Sequence, residues 1–149
     1  MVVKDGLAID PSSGMNGLYD IGIKNGRIVD VFPEIPTDNV QSIISAKGQV
    51  VVPGLIDAHV HVYGSPLCVH PDIIGVQAGV TTMLDAGSGG CDTFQEFPQT
   101  VLPESLTDIY CLLNLSRIGL MRMPKPELVS NEDMDLPKTV TILEENQER

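Results

Sequence analysis

Up to about residue 52 the apolar positions fall in short runs of β-forming residues, broken at PSSG (11–14), Asn16-Gly17 and Asn25-Gly26. That spacing predicts a small β-layer. Within it, YDIGIKNGRIVDVF (19–32) reads as a hairpin, because Asn25-Gly26 accepts the positive φ angles of a type I′ turn. SIISAKGQVVVPG (42–54) continues in the same style, with Lys47-Gly48 as its turn and Pro53-Gly54 closing the layer. From residue 54 strand-like and helix-like segments alternate. GLIDAHVHV (54–62) predicts a strand, PDIIGVQAGV (71–80) a helix with Pro71 in its first turn, and GVTTMLDAG (79–87) a second strand. CDTFQEFPQTVLPES (91–105) predicts a helix broken or kinked near Pro98. TDIYCLLNLSRIG (107–119) predicts a third strand, apolar for most of its length and so buried on both faces of a parallel sheet. A last helix is expected from about Leu136 to near Arg149. The fold class is α/β, with a β segment over 1–52 and β/α units over 53–149.

The strand at 54–62 carries titratable side chains at every second place. Residues i, i+2 and i+4 of a strand share a face, so Asp57, His59 and His61 project together while Ile56, Ala58, Val60 and Val62 form a packing face. Two imidazoles on alternate positions can both reach one divalent cation. The following YGSP turn puts them at the strand's C-terminal end, where α/β folds place their sites. The alternative is an exposed edge strand whose polar face merely meets water. Against it, the flanking VVPGLI run and the Gly-rich turn make the strand look central.

Size and charge narrow the function. The 149 residues, 42% of them hydrophobic, suffice for one modest core or slightly more. A net charge of −11 repels a phosphate backbone and argues against nucleic acid as a partner. Three cysteines without C-x-x-C spacing indicate neither a disulfide framework nor a zinc ribbon. No stretch reaches the length of a signal peptide or a membrane span, and a soluble, cytoplasmic protein is expected.

Other chemistry-bearing residues sit where strands are predicted to end. Asp85, Gly87 and Ser88 close the second strand, where they either line a substrate pocket or form an ordinary Gly-rich turn. Asn114 and Arg117 lie toward the end of the third. Arg117 either grips a substrate carboxylate in bidentate fashion or offsets the local acidity. Cys68 and His70 could extend the His59/His61 pair, but VHPD serves better as a helix entry. MRMPKPEL (121–128) is either a loop over the site or a plain connector, and EENQER (144–149) reads as a solvated helix face. No phosphate-binding loop and no Ser-His-Asp or Cys-His arrangement is indicated.

PGLIDAHVH (53–61) resembles the signature of the metal-dependent amidohydrolase superfamily, with Pro53, Gly54, Ile56, Asp57, His59 and His61 at matching positions. The N-terminal β segment resembles the first part of that superfamily's small β-sandwich, and AGVTTMLDAGS (78–88) its second barrel strand. GVTTMLDAGSGG (79–90) with LNLSRIGL (113–120) is most similar to the dihydroorotase-like, amidohydrolase/deacetylase branch. The resemblance implies the first three β/α units of a TIM-type (β/α)8 barrel and a hydrolase of amide or cyclic amide C–N bonds. It implies one or two divalent metal ions, commonly zinc, with His59 and His61 as ligands and Asp57 in a supporting, hydrogen-bonding role. It implies a small-molecule amide substrate in a pocket that Asp85, Ser88, Asn114 and Arg117 would line, and it leaves homo-oligomer formation open.

The family pattern also calls for a carboxylated lysine after strand four, histidines after strands five and six and an aspartate after strand eight. None of these is expected in this sequence. A closed barrel takes roughly 250 residues, and fewer than half that number follow Gly54. The sequence is therefore expected to be the N-terminal part of a longer enzyme and inactive alone. The alternative is a non-catalytic binding or interaction module derived from the same fold.

Overall fold

The structure, a computed structural model, describes residues 1–64 and 68–147. Ser65 and Pro66 of the expected YGSP turn, and the helix end expected near Arg149, lie outside the described residues. The chain divides into two compact units, Met1–Pro53 and Gly54–Arg149.

The first unit is a five-stranded sheet built on β1 (Val2–Asp10). Antiparallel to it runs β2 (Met15–Lys24), joined by a turn in which the Asp10 carboxylate accepts from the Ser12 amide and from the Ser12 and Ser13 hydroxyls. β2 turns into β3 (Arg27–Phe32) through Asn25 (φ 53°) and Gly26 (φ 71°), the paired positive angles of a type I′ turn. The next two strands differ from the antiparallel style of the hairpins. β4 (Ile43–Ser45) and β5 (Val50–Val51) both pair parallel to β1, one after the other along its length. A bulge in β1 leaves Asp5 at φ 60°. The buried Asp20 carboxylate holds it there, accepting from the Asp5 and Ile35 amides and pairing with Lys4.

The second unit is mixed α/β. Three parallel strands, β6 (Leu55–Val60), β7 (Val80–Asp85) and β8 (Asp108–Cys111), pair in that order. Between them lie short helices: α1 (Pro71–Ile74) and α2 (Glu96–Thr100), each followed by a 3-10 turn. α3 (Leu136–Glu145) follows a capped start in which Asp135 accepts from the Lys138 amide. The core gathers Val60, Met83, Phe94, Phe97, Ile109 and Ile142.

Four expectations change. The helix over 71–80 is only one turn, because Gly75 (φ −91°, ψ −116°) leaves helical geometry and the chain goes on as a 3-10 turn; no side chain would fit there, against the Thr107 hydroxyl and the Pro71 carbonyl. Pro98 does not break its helix, since it sits in the first turn of α2, where its missing N–H is not needed. β6 is an edge strand among the described residues, paired only with β7, and Ile56 is 72% exposed, so the packing face is limited to Val60 and Val62. β8 stops at Cys111 and is buried on one face only. Ile109 is fully buried against the Phe97 and Ile142 core, whereas Tyr110 and Leu112 face away from it and are exposed. No helix among the described residues is long and apolar enough to cross a membrane.

Asp72, buried in α1, ties that helix to the turn entering β8. Its carboxylate accepts from the Leu106 and Thr107 amides and from the Ser105 and Thr107 hydroxyls. These donors, the Leu106 amide foremost, pull its pKa from 3.8 to about 2. A depressed folded-state pKa contributes stability that is present above pH 3.8 and lost as pH falls toward 2. Unfolding followed from pH 5 to pH 2 should therefore weaken across that window. Asp72→Asn should unfold several degrees lower at neutral pH and show a shallower acid slope; an unchanged slope would contradict this role.

Candidate functional site

The two histidines flank the last residue of β6, His59 within the strand and His61 just after Val60. The ladder between β6 and β7 shifts register between Asp57 and Val60, so the strand does not alternate strictly through Ala58. From His59 onward it does: His59 is exposed, Val60 and Val62 are buried, and His61 lies half-buried between them. Asp57 accepts a hydrogen bond from the His59 amide at 3.1 Å, fixing the backbone just before the pair. The two rings meet edge to face with centroids 5.4 Å apart.

Behind His61 the end of β7 folds around Asp85, which is 1% exposed. One carboxylate oxygen accepts from the Gly87 and Ser88 amides at 3.1 and 2.7 Å. The other accepts from the Val62 amide at 2.9 Å and the Ser88 hydroxyl at 2.7 Å. That hydroxyl lies 3.0 Å from Nδ1 of His61. Gly87, at φ 90°, makes the turn that brings Ser88 back under the ring. Asp85 and Ser88 thus stand together with His61, and both are buried.

Asn114 and Arg117 are placed differently. The Asn114 amide donates to the Gly87 carbonyl and to Glu127, each at 2.9 Å, and its oxygen accepts from the Ser116 amide. Asn114 therefore fastens the end of β7 and the 121–128 loop to the chain beyond β8. Arg117 donates through Nε to Asp92 at 2.8 Å, and Lys138 donates to the other oxygen at 2.6 Å. These two cations hold the Asp92 carboxyl below its ordinary value. His70 caps α1, accepting from the Asp72 amide at 3.3 Å, and Cys68 is exposed.

Sequence reasoning missed Glu127, Asp92 and Lys138. Their partners lie 13 to 46 residues away, and no local pattern marks such pairs. Tyr63, the next alternate position after His61, is also engaged: its hydroxyl donates to the Thr93 carbonyl and meets Glu96. Burial, then Glu96, push its pKa upward.

The donor set can be tested against a metal. A tetrahedral zinc about 2 Å from each ring nitrogen holds two imidazole centroids about 5 Å apart, which matches the observed 5.4 Å. In spacing, the pair suits two coordination positions of one ion. Among the described residues no cluster of three or more His, Cys, Asp or Glu is placed to complete the set.

Comparison with known proteins gives concordant results. No family model matches the chain. It is 35% identical over 127 residues to a deacetylase of Agrobacterium fabrum, covering 83% of this chain and 31% of that protein. It is 34% identical to a dihydroorotase of Aquifex aeolicus, covering 83% of this chain and 28% of that one. A crystal structure of a dihydroorotase superposes with a TM-score of 0.90 at 28% identity, over 99% of this chain and 40% of that chain. The chain thus spans about a third of the length of these curated relatives.

The loops that carry the site are held by a close backbone approach. A Cβ on Gly90 would lie 1.8 Å from the Ser116 carbonyl oxygen and 2.6 Å from the Arg117 backbone. Gly90→Ala should cost about 1–3 kcal/mol through overpacking, read as a lower urea midpoint. Unchanged stability would show that this junction is loose.

Proposed function

Since the chain belongs to the dihydroorotase-like branch of the amidohydrolase superfamily, we propose that it is the N-terminal part of a hydrolase of amide or cyclic amide C–N bonds. On this proposal Gly54 onward supplies the first three β/α units of a (β/α)8 barrel, and the β unit before it supplies part of a small β-sandwich. The observation that carries the proposal is the paired imidazoles at the C-terminal end of β6, with centroids 5.4 Å apart.

His59 and His61 would hold a divalent ion, zinc foremost, in a centre of one or two metals. When bound, such an ion supplies Lewis acidity toward the scissile carbonyl and a more acidic water. The chain's own residues supply the frame. Asp57 fixes the backbone ahead of the pair through the His59 amide. Asp85 and Ser88 lie behind His61, so their contribution to a substrate pocket is to shape its floor. Asn114 fastens the wall between Gly87 and the 121–128 loop. Arg117, committed to Asp92, braces that wall toward α3, and its exposed side chain could reach a substrate carboxylate only by leaving that partner. The further ligands belong to elements outside these 149 residues, and the chain alone is inactive, because two imidazoles do not fix a coordination geometry. Cytoplasmic action on a small molecule fits three free cysteines and relatives named for small-molecule chemistry.

Zinc titration of the purified protein should give weak binding that falls to background in His59→Ala and in His61→Ala. Tight stoichiometric uptake indifferent to both substitutions would overturn the ligand assignment. A clone of the length of the relatives, assayed against N-acyl amino acids and cyclic ureides, should hydrolyse one of these classes and lose at least a hundredfold in kcat/KM in either variant.

A further inference from the structure

Counting protons at the Asp85–Ser88–His61 chain settles more than its distances do. The Asp85 carboxylate takes four hydrogen bonds, three from backbone amides that can only donate. Its fourth donor is the Ser88 hydroxyl, 2.7 Å away. A serine hydroxyl has one proton, so with that proton on Asp85 only lone pairs remain for the contact with His61 Nδ1 at 3.0 Å. The contact is a hydrogen bond only if Nδ1 carries a proton. Neutral His61 then keeps its free lone pair on Nε2, the nitrogen not engaged by Ser88. Ser88 is fully buried and Asp85 is 1% exposed, so neither group has solvent as an alternative partner.

We propose that Ser88, itself oriented by Asp85, is a positioning residue that locks His61 as the Nδ1–H tautomer and aims Nε2 as the ligand-forming nitrogen. Among the described residues the His59 ring has no such hydrogen-bond support. Its backbone is held through Asp57, and its ring is exposed beside His61. The two members of the pair are therefore unequal: one is preset and the other adjusts to meet the ion. Asp85 also holds the Val62 amide, so the same carboxylate fixes both the backbone after His61 and the ring itself. The lock is a property of the metal-free fold. Its consequence for metal affinity rests on the ligand assignment proposed above.

The test reads the tautomer directly. The protein has three histidines, so 15N-histidine labelling with His59→Gln and His70→Gln for assignment isolates the His61 signals. In chelator-treated protein at about pH 8, where an ordinary imidazole is neutral, His61 should show a protonated Nδ1 and a bare Nε2. In Ser88→Ala it should shift to a mixture of tautomers, and zinc affinity should fall 10–100-fold as when the support of a ligand is removed. Ser88→Thr, which keeps the hydroxyl, should restore the wild-type pattern. A His61 with its proton on Nε2 in the unmodified protein would overturn the lock whatever the zinc result. The expected tautomer with no zinc binding would leave the lock standing and reject the metal assignment instead.

Discussion

The candidate site hangs on one buried carboxylate. Asp85 ends β7 and gathers donors from two segments that are distant in sequence, Val62 after β6 and Gly87-Ser88 after β7. Charge-assisted hydrogen bonds of this kind are about twice as strong as neutral ones. Any of the four donors left without its acceptor would be a buried unpaired group. The cost of rearranging them is what keeps the turn under His61 in one shape, and a single shape is what an imidazole needs if it is to face a shared ion.

The rest of the second unit serves that arrangement. Met83 and Ile109, both fully buried, stack β7 against β8 in the core. The parallel ladder brings the ends of β6, β7 and β8 to one edge, where binding residues collect in α/β folds. Gly90 and Asn114 meet as a bridge just beyond the ladder, so the loops after β7 and β8 form one layer. Asn114, through Gly87 and Glu127, extends that layer to the 121–128 segment. Arg117 and Lys138 are both paired with Asp92.

What the sequence disclosed was local. The Asn25-Gly26 turn was legible because its chemistry lies in two adjacent residues, and the helix from about Leu136 from the run itself, whereas its Asp135 cap emerged only in the structure. The His59/His61 pairing was legible from strand alternation, although the register shift before Val60 separates Asp57 from a strict repeat. Parallel pairing of β4 and β5 with β1 was not legible, because alternation does not name a partner strand. The length of α1 depends on the backbone turn at Gly75, packed against Thr107, and the end of β8 on where its ladder with β7 stops at Cys111; neither is a local sequence signal. Asp85 and Ser88 were visible as strand-end residues, but their place behind His61 depends on a contact across 27 positions.

The central claim is that two rings on alternate positions, one within β6 and one just beyond Val60, its last residue, converge on one ion. Zinc-edge anomalous diffraction from crystals equilibrated with zinc tests it most directly. One peak should stand about 2 Å from a nitrogen of His59 and about 2 Å from Nε2 of His61. Separate peaks on the two rings, or a peak at Cys68 and His70 with none between the pair, would contradict it.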